Sequence, residues 1–288
     1  MTPAPGERWG ERRAAAETRL AATGVDDAES KLRWLAAHVI GCGLMDADLR
    51  REETVSAEAG RRFEDGVNRL AAHEPVQYVI GETEFMGLRF RCDRRALIPR
   101  PETELLVEAA EAALRILPGR PAVLDVGTGT GCVACALALR VPLARVAAVD
   151  CSPDALALAR ENAAALGAPV EFRLGDLLEG VPANSLDLVV SNPPYVSTGE
   201  CGRLPPTVRD FEPRSALDGG ADGLETISRL VSAAAGAIVP GGRLMMEIGD
   251  DQASAVQEIL CQTPPLQLES LKSDFAGRAR LVLARRTA

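Results

Sequence analysis

The amino-acid sequence predicts an α/β protein: an open, mostly parallel sheet covered by helices on both faces and preceded by a small helical domain. From Pro121 onward, short apolar segments alternate with stretches of helical character. Before His73, Ala, Leu, Arg and Glu dominate, and apolar residues recur at helical spacing. We therefore expect a helical domain at residues 1–75, a hairpin and linker at 76–101, and the sheet domain at 102–288.

The N-terminal domain is expected to be a small helical bundle. Gly41 and Gly43 mark the end of one helix, and residues from Ser56 to Ala72 form a later one. Trp34 is expected in the core. The domain has no catalytic constellation, which favours a role in substrate recognition or packing.

The segment after the bundle predicts a hairpin followed by a stiff linker. Residues 77–81 and 85–90 alternate around Gly81 and Glu82, where we expect the turn. The following Pro99-Arg100-Pro101 stiffens the backbone before a helix that starts near Thr103. Two interpretations of this stretch remain open: a rigid interdomain linker, and one wall of a substrate site that includes Arg100.

The C-terminal domain shows the strand and helix alternation of a parallel sheet. Ser152 followed by Pro153 is a helix start, with an N-cap and proline at the first helical position. Helices are predicted over Cys132–Leu139, from Ser152, over Leu224–Ile238 and from Gln252. Strands are predicted at Ala122–Val126, Arg145–Asp150, Val170–Leu174, Leu186–Ser191 and Arg243–Ile248, with two late strands near 266–271 and 280–283.

Polar residues at the ends of the first three strands of this sheet predict an adenosine-bearing cofactor. Ligands of such sheets bind beyond the carboxyl ends of the strands. The glycines of the loop Gly127–Gly131, which includes Thr128 and Thr130, let the backbone approach a ligand closely. Asp150 can accept from two ribose hydroxyls, and Asp176 from an adenine amino group.

The residue before the glycine loop distinguishes between two such cofactors. The loop is shorter than the dinucleotide fingerprint, and Asp125 lies just before it within the strand. A carboxylate there repels a pyrophosphate but attracts the ammonium group of a methionine moiety. The sequence therefore favours S-adenosylmethionine over NAD.

The fourth strand ends in Asn192-Pro193-Pro194-Tyr195, which predicts a site for a planar NH2 group. The two prolines make a stiff corner with free carbonyl groups. The Asn192 side-chain oxygen and the Pro193 carbonyl can accept the two hydrogens, while the Tyr195 ring stacks on the flat face. The same residues also suit a simple strand-ending turn.

Composition excludes several classes of protein. The chain of 288 residues carries a net charge of −9, whereas a nucleic-acid-binding protein usually presents a basic face. Arginine pairs such as Arg12-Arg13 and Arg50-Arg51 are expected on solvated helix faces. No apolar run is long enough to span a membrane. Seven scattered cysteines and two histidines favour reduced thiols in the cytoplasm, without a metal site.

Motifs from residue 75 to residue 278 carry a resemblance to a known family. They are Pro75–Gly81, Leu97–Glu104, Asp125–Gly131, Ser191–Val196, Glu212–Leu217, Gly242 with Glu247–Gly249, and Asp274–Arg278. In these motifs the sequence resembles the N5-glutamine methyltransferases of the PrmC/HemK type, which methylate the glutamine of the Gly-Gly-Gln motif in class I peptide-chain release factors. The resemblance implies a Rossmann-like class I S-adenosylmethionine-dependent methyltransferase sheet, joined by a β-hairpin to a small N-terminal helical domain.

The resemblance also implies roles for individual residues. It assigns S-adenosylmethionine to Gly127–Gly131 and Asp150, and the substrate glutamine to Asn192, Pro193, Pro194 and Tyr195. Within this set Asn192, Pro193 and Tyr195 are the catalytic candidates, and Asn192 is expected to contact both ligands. Many family members carry an aromatic residue where this chain has Leu177, beside the adenine.

Alternative functions remain open at the level of sequence. A sister enzyme that methylates glutamine on a ribosomal protein shares the same corner. An adenine-N6 DNA methyltransferase has a similar amino-group substrate, but the acidic charge and the lack of a basic target-recognition domain argue against it. A docking scaffold without turnover is a third alternative. A monomer with a release factor as its partner is the expectation.

Overall fold

The computed structural model describes residues 6–274 and 276–287, and Phe275 of the last motif lies outside them. Within these ranges, no helix combines the length and apolar character needed to cross a membrane. The α-helices are α1 (Trp9–Ala22), α2 (Ala28–Ile40), α3 (Leu44–Leu49), α4 (Ala57–Ala71), α5 (Val76–Ile80), α6 (Glu104–Arg115), α7 (Cys132–Arg140), α8 (Pro153–Leu166), α9 (Thr198–Cys201), α10 (Pro206–Arg209), α11 (Glu225–Ala237) and α12 (Ala253–Cys261). The strands are β1 (Glu82–Phe85), β2 (Leu88–Arg91), β3 (Ala122–Val126), β4 (Arg145–Asp150), β5 (Val170–Leu174), β6 (Leu186–Ser191), β7 (Ile238–Glu247), β8 (Leu266–Ser273) and β9 (Ala279–Arg286).

The chain divides into two compact units. The smaller contains the residues up to Glu82 together with Pro205–Phe211, and the larger contains Thr83–Leu204 and the residues from Glu212 onward. The smaller unit therefore includes a segment from far along the chain. Nothing in the sequence pattern had indicated that this segment belongs with the helices.

Capping residues fix the ends of two helices in the smaller unit. The Ser56 hydroxyl caps α4 by accepting from the Ala59 amide at 3.2 Å. Gly41 ends α2 in the left-handed conformation, with φ of 76°. The predicted end of α2 and the predicted start of the later helix are thus confirmed.

Two expectations about the smaller unit are wrong. Trp34 is 37% exposed, and it is Trp9 that is buried, with its ring 5.5 Å from that of Phe63 in an edge-to-face contact. Arg12 is also buried rather than solvated, because Glu7 and Glu64 pair with its guanidinium at 2.7 and 3.3 Å. Arg50 is exposed, as predicted.

The hairpin is present, but its turn was predicted in the wrong place. Val76–Ile80 forms the short helix α5, which ends at Gly81 with φ of 86°. Strands β1 and β2 pair with each other and are joined at Met86 and Gly87, with φ of 53° and 74°. Positive φ at both positions matches the twist of a tight hairpin. A short apolar run fits one helical turn as well as a strand, and this caused the error.

The larger unit contains a seven-stranded sheet in the order β5-β4-β3-β6-β7-β9-β8. Strands β3 to β7 run parallel, and β9 is antiparallel to both β7 and β8. The predicted mostly parallel sheet is confirmed, as are the bounds of its first four strands. The next strand, β7, starts earlier than predicted and includes Pro240–Gly242. Gly242 is required there, since a Cβ would lie 2.8 Å from the Asp187 carbonyl oxygen.

The core lies on both faces of the sheet because the strands are apolar on both sides. Val123 packs in a cluster with residues of α6 and α7, whereas its neighbour Leu124 packs with residues of α11 and α12. The order of the strands reverses between β3 and β6, where the chain has gone outward through β4 and β5 before returning. The carboxyl ends of β3 and β6 therefore face a crevice, which is the usual ligand site of such sheets.

Candidate active site

A cavity of about 370 Å³ lies at this switch point and is enclosed by the larger unit alone. Its volume is in the range of small-molecule sites. Gly131 and Tyr195 do not line it. The predicted site residues that do line it are Arg100, Asp125, Gly127, Thr128, Gly129, Thr130, Asp150, Asp176, Leu177, Asn192, Pro193 and Pro194.

The glycine loop turns sharply from β3 into α7. The Gly127 and Thr128 amides both donate to the Val149 carbonyl, at 2.8 and 3.1 Å, which fixes the start of the loop against the end of β4. Gly131 has φ of 81°, and a Cβ there would lie 3.1 Å from the Ala159 Cβ of α8. This glycine therefore serves helix packing, while the residues before it line the cavity.

Asp125 is a buried carboxylate at the end of β3, with 1% of its surface exposed. Its Oδ2 accepts from the Thr128 hydroxyl at 2.6 Å and from the Ala134 amide at 3.2 Å. Burial raises the pKa of Asp125 to about 7, against the effect of these hydrogen bonds. A bound cation would favour its ionised form.

Asp150 holds the glycine loop as well as facing the cavity. Its Oδ2 accepts from the Gly129 amide and its Oδ1 from the Ser152 amide, each at 2.9 Å. A carboxylate oxygen has a second lone pair, so each can also accept from a ligand hydroxyl.

The segment that follows β5 contributes two residues to the same cavity. Asp176, predicted to accept from adenine, forms an ion pair with Arg229, and both side chains are about half exposed. Leu177 has φ of 49°, which is uncommon for a bulky residue and often accompanies a ligand site.

The opposite side of the cavity is organised around Asn192. Its Nδ2 donates to the Thr103 hydroxyl at 3.0 Å, and this hydroxyl donates to Glu247 Oε2 at 2.7 Å. The Tyr195 hydroxyl donates to the other oxygen, Glu247 Oε1, at 3.2 Å. In the described part of the chain, no protein donor is paired with Asn192 Oδ1 or with the Pro193 carbonyl oxygen.

The backbone that follows the corner is held by a buried glutamine. Gln252 Nε2 donates to the Tyr195 carbonyl at 2.9 Å and to the Gly223 carbonyl at 3.2 Å. Its Oε1 accepts from the Gly249 amide at 2.9 Å. The corner is therefore fixed from two sides, by Glu247 through the Tyr195 side chain and by Gln252 through its main chain.

Arg100 lines the cavity with its charge already paired. Its guanidinium binds Glu212, whose side chain is 1% exposed and whose Oε2 also accepts from the Ile98 amide at 3.2 Å. Burial raises the pKa of Glu212, and the Arg100 charge opposes this effect. The pair fastens residues 98–100 to the segment around Glu212.

Sequence reasoning gave no individual role to three residues of this network: Thr103, Glu247 and Gln252. For Glu212 it left two interpretations open, a structured surface loop and a substrate-site role. Thr103, Glu212 and Glu247 stand inside the motifs that carried the family resemblance, and that position was the signal available. Their contacts join segments far apart in the chain, so spacing alone does not indicate a partner.

A sheet of this topology with a ligand cavity at its switch point defines a Rossmann-like ligand-binding fold, and the family models identify it as that of a methyltransferase. Residues 101–203 match the family model of the methyltransferase small domain, and residues 11–81 match the model of the PrmC N-terminal domain. A methyltransferase structure from Pyrococcus furiosus aligns with a TM-score of 0.54 over 71% of this chain and 91% of its own, at 18% identity. That likeness shows the shared fold.

Curated relatives define the family more narrowly. The release factor glutamine methyltransferase of Cereibacter sphaeroides is 44% identical over 273 residues, which cover 94% of this chain and 96% of the relative. The protein of the same name from Deinococcus radiodurans is 44% identical over 271 residues, with the same coverage of each chain. The chain belongs to the release factor glutamine methyltransferase family.

Proposed function

We propose that this protein transfers a methyl group from S-adenosylmethionine to the side-chain amide nitrogen of the glutamine in the Gly-Gly-Gln motif of class I release factors. The observation that carries the proposal is the pair of open acceptors at the corner, Asn192 Oδ1 and the Pro193 carbonyl. Two open acceptors on consecutive residues suit an NH2 group, because such a group offers two hydrogens. We also propose that the reaction occurs in the cytoplasm, where translation takes place.

The residues around the glycine loop fit S-adenosylmethionine. Asp125 lies at the cavity wall with a pKa raised to about 7 by burial, so an ammonium group is a favourable partner for its ionised form. Asp150 retains lone pairs for a ribose, and Leu177 can cover one face of the adenine ring. S-adenosylmethionine supplies an activated methyl group on a positively charged sulfur.

The corner residues act on the substrate nitrogen by orientation. An amide nitrogen is a poor nucleophile while its lone pair is conjugated with the carbonyl group. Acceptors at Asn192 and Pro193 hold both hydrogens and favour a geometry in which the lone pair turns out of the plane. Alignment of reacting groups contributes roughly 7–11 kcal/mol relative to free encounter.

The corner supplies no strong base, and the reaction does not need one. Burial first, and then the charge of Glu247, raise the pKa of Tyr195, so its hydroxyl stays protonated and donates to Glu247. The amide becomes more acidic as it is alkylated, and its proton then passes to water. Stacking of the Tyr195 ring on the substrate stays a prediction.

Methyl transfer from labelled S-adenosylmethionine tests the proposal with three acceptors in parallel. These are a release factor, the same factor with its Gly-Gly-Gln glutamine changed to alanine, and duplex DNA. Label on the intact factor alone is the expected result. Label on DNA, or equal label on both factors, would contradict it, and label on none would direct the search to ribosomal proteins.

A further inference from the structure

The Thr103 hydroxyl lies between the Asn192 amide and the Glu247 carboxylate. The distances are 3.0 Å from Asn192 Nδ2 to Thr103 Oγ1 and 2.7 Å from Thr103 Oγ1 to Glu247 Oε2. Thr103 is 3% exposed and Glu247 is 4% exposed, so water does not compete effectively for these contacts. The three side chains form a buried chain of hydrogen bonds that ends at the cavity.

The direction of these hydrogen bonds follows from the chemistry of the three groups. An ionised carboxylate only accepts, so the single Thr103 proton points to Glu247. The Thr103 oxygen can then only accept from Asn192, and only the NH2 end of that amide can donate. The amide oxygen of Asn192 is left at the cavity.

We propose that Thr103 and Glu247 are positioning residues that fix the orientation of the Asn192 amide, and that they thereby make the site select an NH2 group over a carboxylate oxygen. The inference rests on the proposed function and extends it to substrate discrimination. With the Asn192 amide reversed, the site would present NH2 hydrogens and would suit glutamate instead of glutamine.

The surroundings of Glu247 support its role as a fixed acceptor. Burial raises the pKa of Glu247, and Glu102 acts in the same direction. The hydrogen bonds from Thr103 and Tyr195 and the positive charge of Arg280 oppose that effect and favour the ionised form. Both carboxylate oxygens already have a donor, which leaves Glu247 positioned to hold these side chains and not to reach the substrate.

Three variants separate orientation from structural support. Glu247→Gln keeps the shape of the side chain but introduces an NH2 group, so the direction of the hydrogen bonds can reverse. The new amide then donates to Thr103, and Thr103 donates to Asn192 Oδ1. Thr103→Val keeps the volume of the side chain and removes both hydrogen bonds of the Thr103 hydroxyl. Thr103→Ser keeps the hydroxyl and is the matched control.

The measurement is the ratio of affinities for two release factors, one with Gly-Gly-Gln and one with Gly-Gly-Glu. Binding is measured by calorimetry with S-adenosylhomocysteine, which has no methyl group to transfer. Contributions from docking elsewhere are the same for both factors and cancel in the ratio. We expect Glu247→Gln and Thr103→Val to reduce the preference for glutamine at least about tenfold, and Thr103→Ser to retain it.

Turnover provides the second readout. The kcat for release-factor methylation should fall at least about tenfold in Glu247→Gln and Thr103→Val, while the KM for S-adenosylmethionine stays within about twofold. The contrary outcome is that the wild-type enzyme methylates the factor but Glu247→Gln and Thr103→Val both keep the wild-type affinity ratio. That outcome would overturn the positioning role, even if the thermal stability of the variants fell. Wild-type enzyme that does not methylate the factor would refute the proposed function itself, and this inference with it.

Discussion

The two sides of the cavity are built in different ways. Within the glycine-loop side, formed by residues 125–134 and 150–152, hydrogen bonds join residues 2 to 21 positions apart, and two longer bonds run from Asn162 to Thr130 and from Ser191 to Val126. The asparagine side, formed by Thr103, residues 192–195, Glu247 and Gln252, is held by side-chain contacts between segments 52 to 144 positions apart. One side is a local strand-turn-helix structure, and the other exists only when the whole sheet has assembled.

This difference indicates that the glycine-loop side determines cofactor affinity and the asparagine side determines turnover, which mutation can test. A local loop can keep its shape when a single ligand contact is lost, so changes there should affect cofactor affinity. The asparagine side holds reactive geometry through a network, where a small displacement is costly for turnover. Substitutions on the two sides should therefore separate effects on cofactor affinity from effects on turnover.

The largest effect is expected for Asn192→Ala on the asparagine side. The change removes an acceptor for the substrate NH2 group that matters most in the transition state, so kcat should fall about 10²- to 10³-fold. The affinity for S-adenosylmethionine should change less than about threefold. Steady-state kinetics combined with calorimetry measures both, and a variant with near-normal turnover would refute the role of Asn192.

The next largest effect is expected for Gly223→Ala, at the backbone that supports the corner. Gly223 has φ of 76°, and a Cβ there would overlap the Tyr195 carbonyl oxygen and lie 2.8 Å from Gln252 Nε2. We expect a loss of about 3 kcal/mol in the free energy of unfolding, together with reduced kcat.

Gly167→Ala is the matched control for this change. Gly167 also has positive φ, 65°, but no atom lies within 4 Å of its Cβ position. It should lose only about 1–2 kcal/mol and keep its turnover. Equal losses in the two variants, measured by urea denaturation, would show that crowding at the corner contributes nothing.

The contrast between local and long-range contacts also explains which parts of the fold and site can be predicted from the sequence. Strand β3, the glycine loop and Asp150 follow from apolar runs and turn residues, because their partners are close in the chain. Glu247 is different: its hydrogen bonds to Thr103 and Tyr195 depend on β7 lying beside β6, and no periodicity contains that information. The distant half of the site is therefore visible only in three dimensions.

Local ambiguity accounts for the other errors. Val76–Ile80 is too short for its apolar pattern to distinguish a helical turn from a strand. Trp34 and Trp9 both lie in α-helices, and only the tertiary packing, which includes the contact of Trp9 with Phe63, shows that Trp9 is the buried one. Arg12 is buried because two carboxylates pair with its guanidinium, one from nearby Glu7 and one from Glu64 in α4, and only the first partner is local in the sequence.

On the glycine-loop side, Asp150→Ala should act on binding and not on turnover. The change removes a charged acceptor for the ribose and also the anchor of the Gly129 amide. We expect the affinity for S-adenosylmethionine to fall about a hundredfold, with kcat at saturating cofactor within about threefold of wild type. Asp154→Ala, which removes an exposed carboxylate nearby, is the control and should leave the affinity unchanged.

The smallest effect is expected for Asp125→Asn, and it concerns stability against pH. The pKa of Asp125 is about 7 in the folded protein, raised by burial from an ordinary value of 3.8. Between these values the folded state binds the proton and the unfolded state does not, so this group lowers stability as pH rises from about 4 to about 7. Above pH 7 the loss is complete.

Asparagine at this position keeps an oxygen for the Thr128 and Ala134 donors but has no charge to bury. The stability of Asp125→Asn relative to wild type should therefore rise by roughly 2–3 kcal/mol between pH 5 and pH 8, as measured by urea denaturation at each pH. Cofactor affinity should fall in the same variant, because the ammonium group loses its counter-charge. A difference in stability that does not vary with pH would show that Asp125 is already ionised at pH 5. Ionisation of this buried carboxylate would then not lower the stability of the folded protein before the cofactor binds.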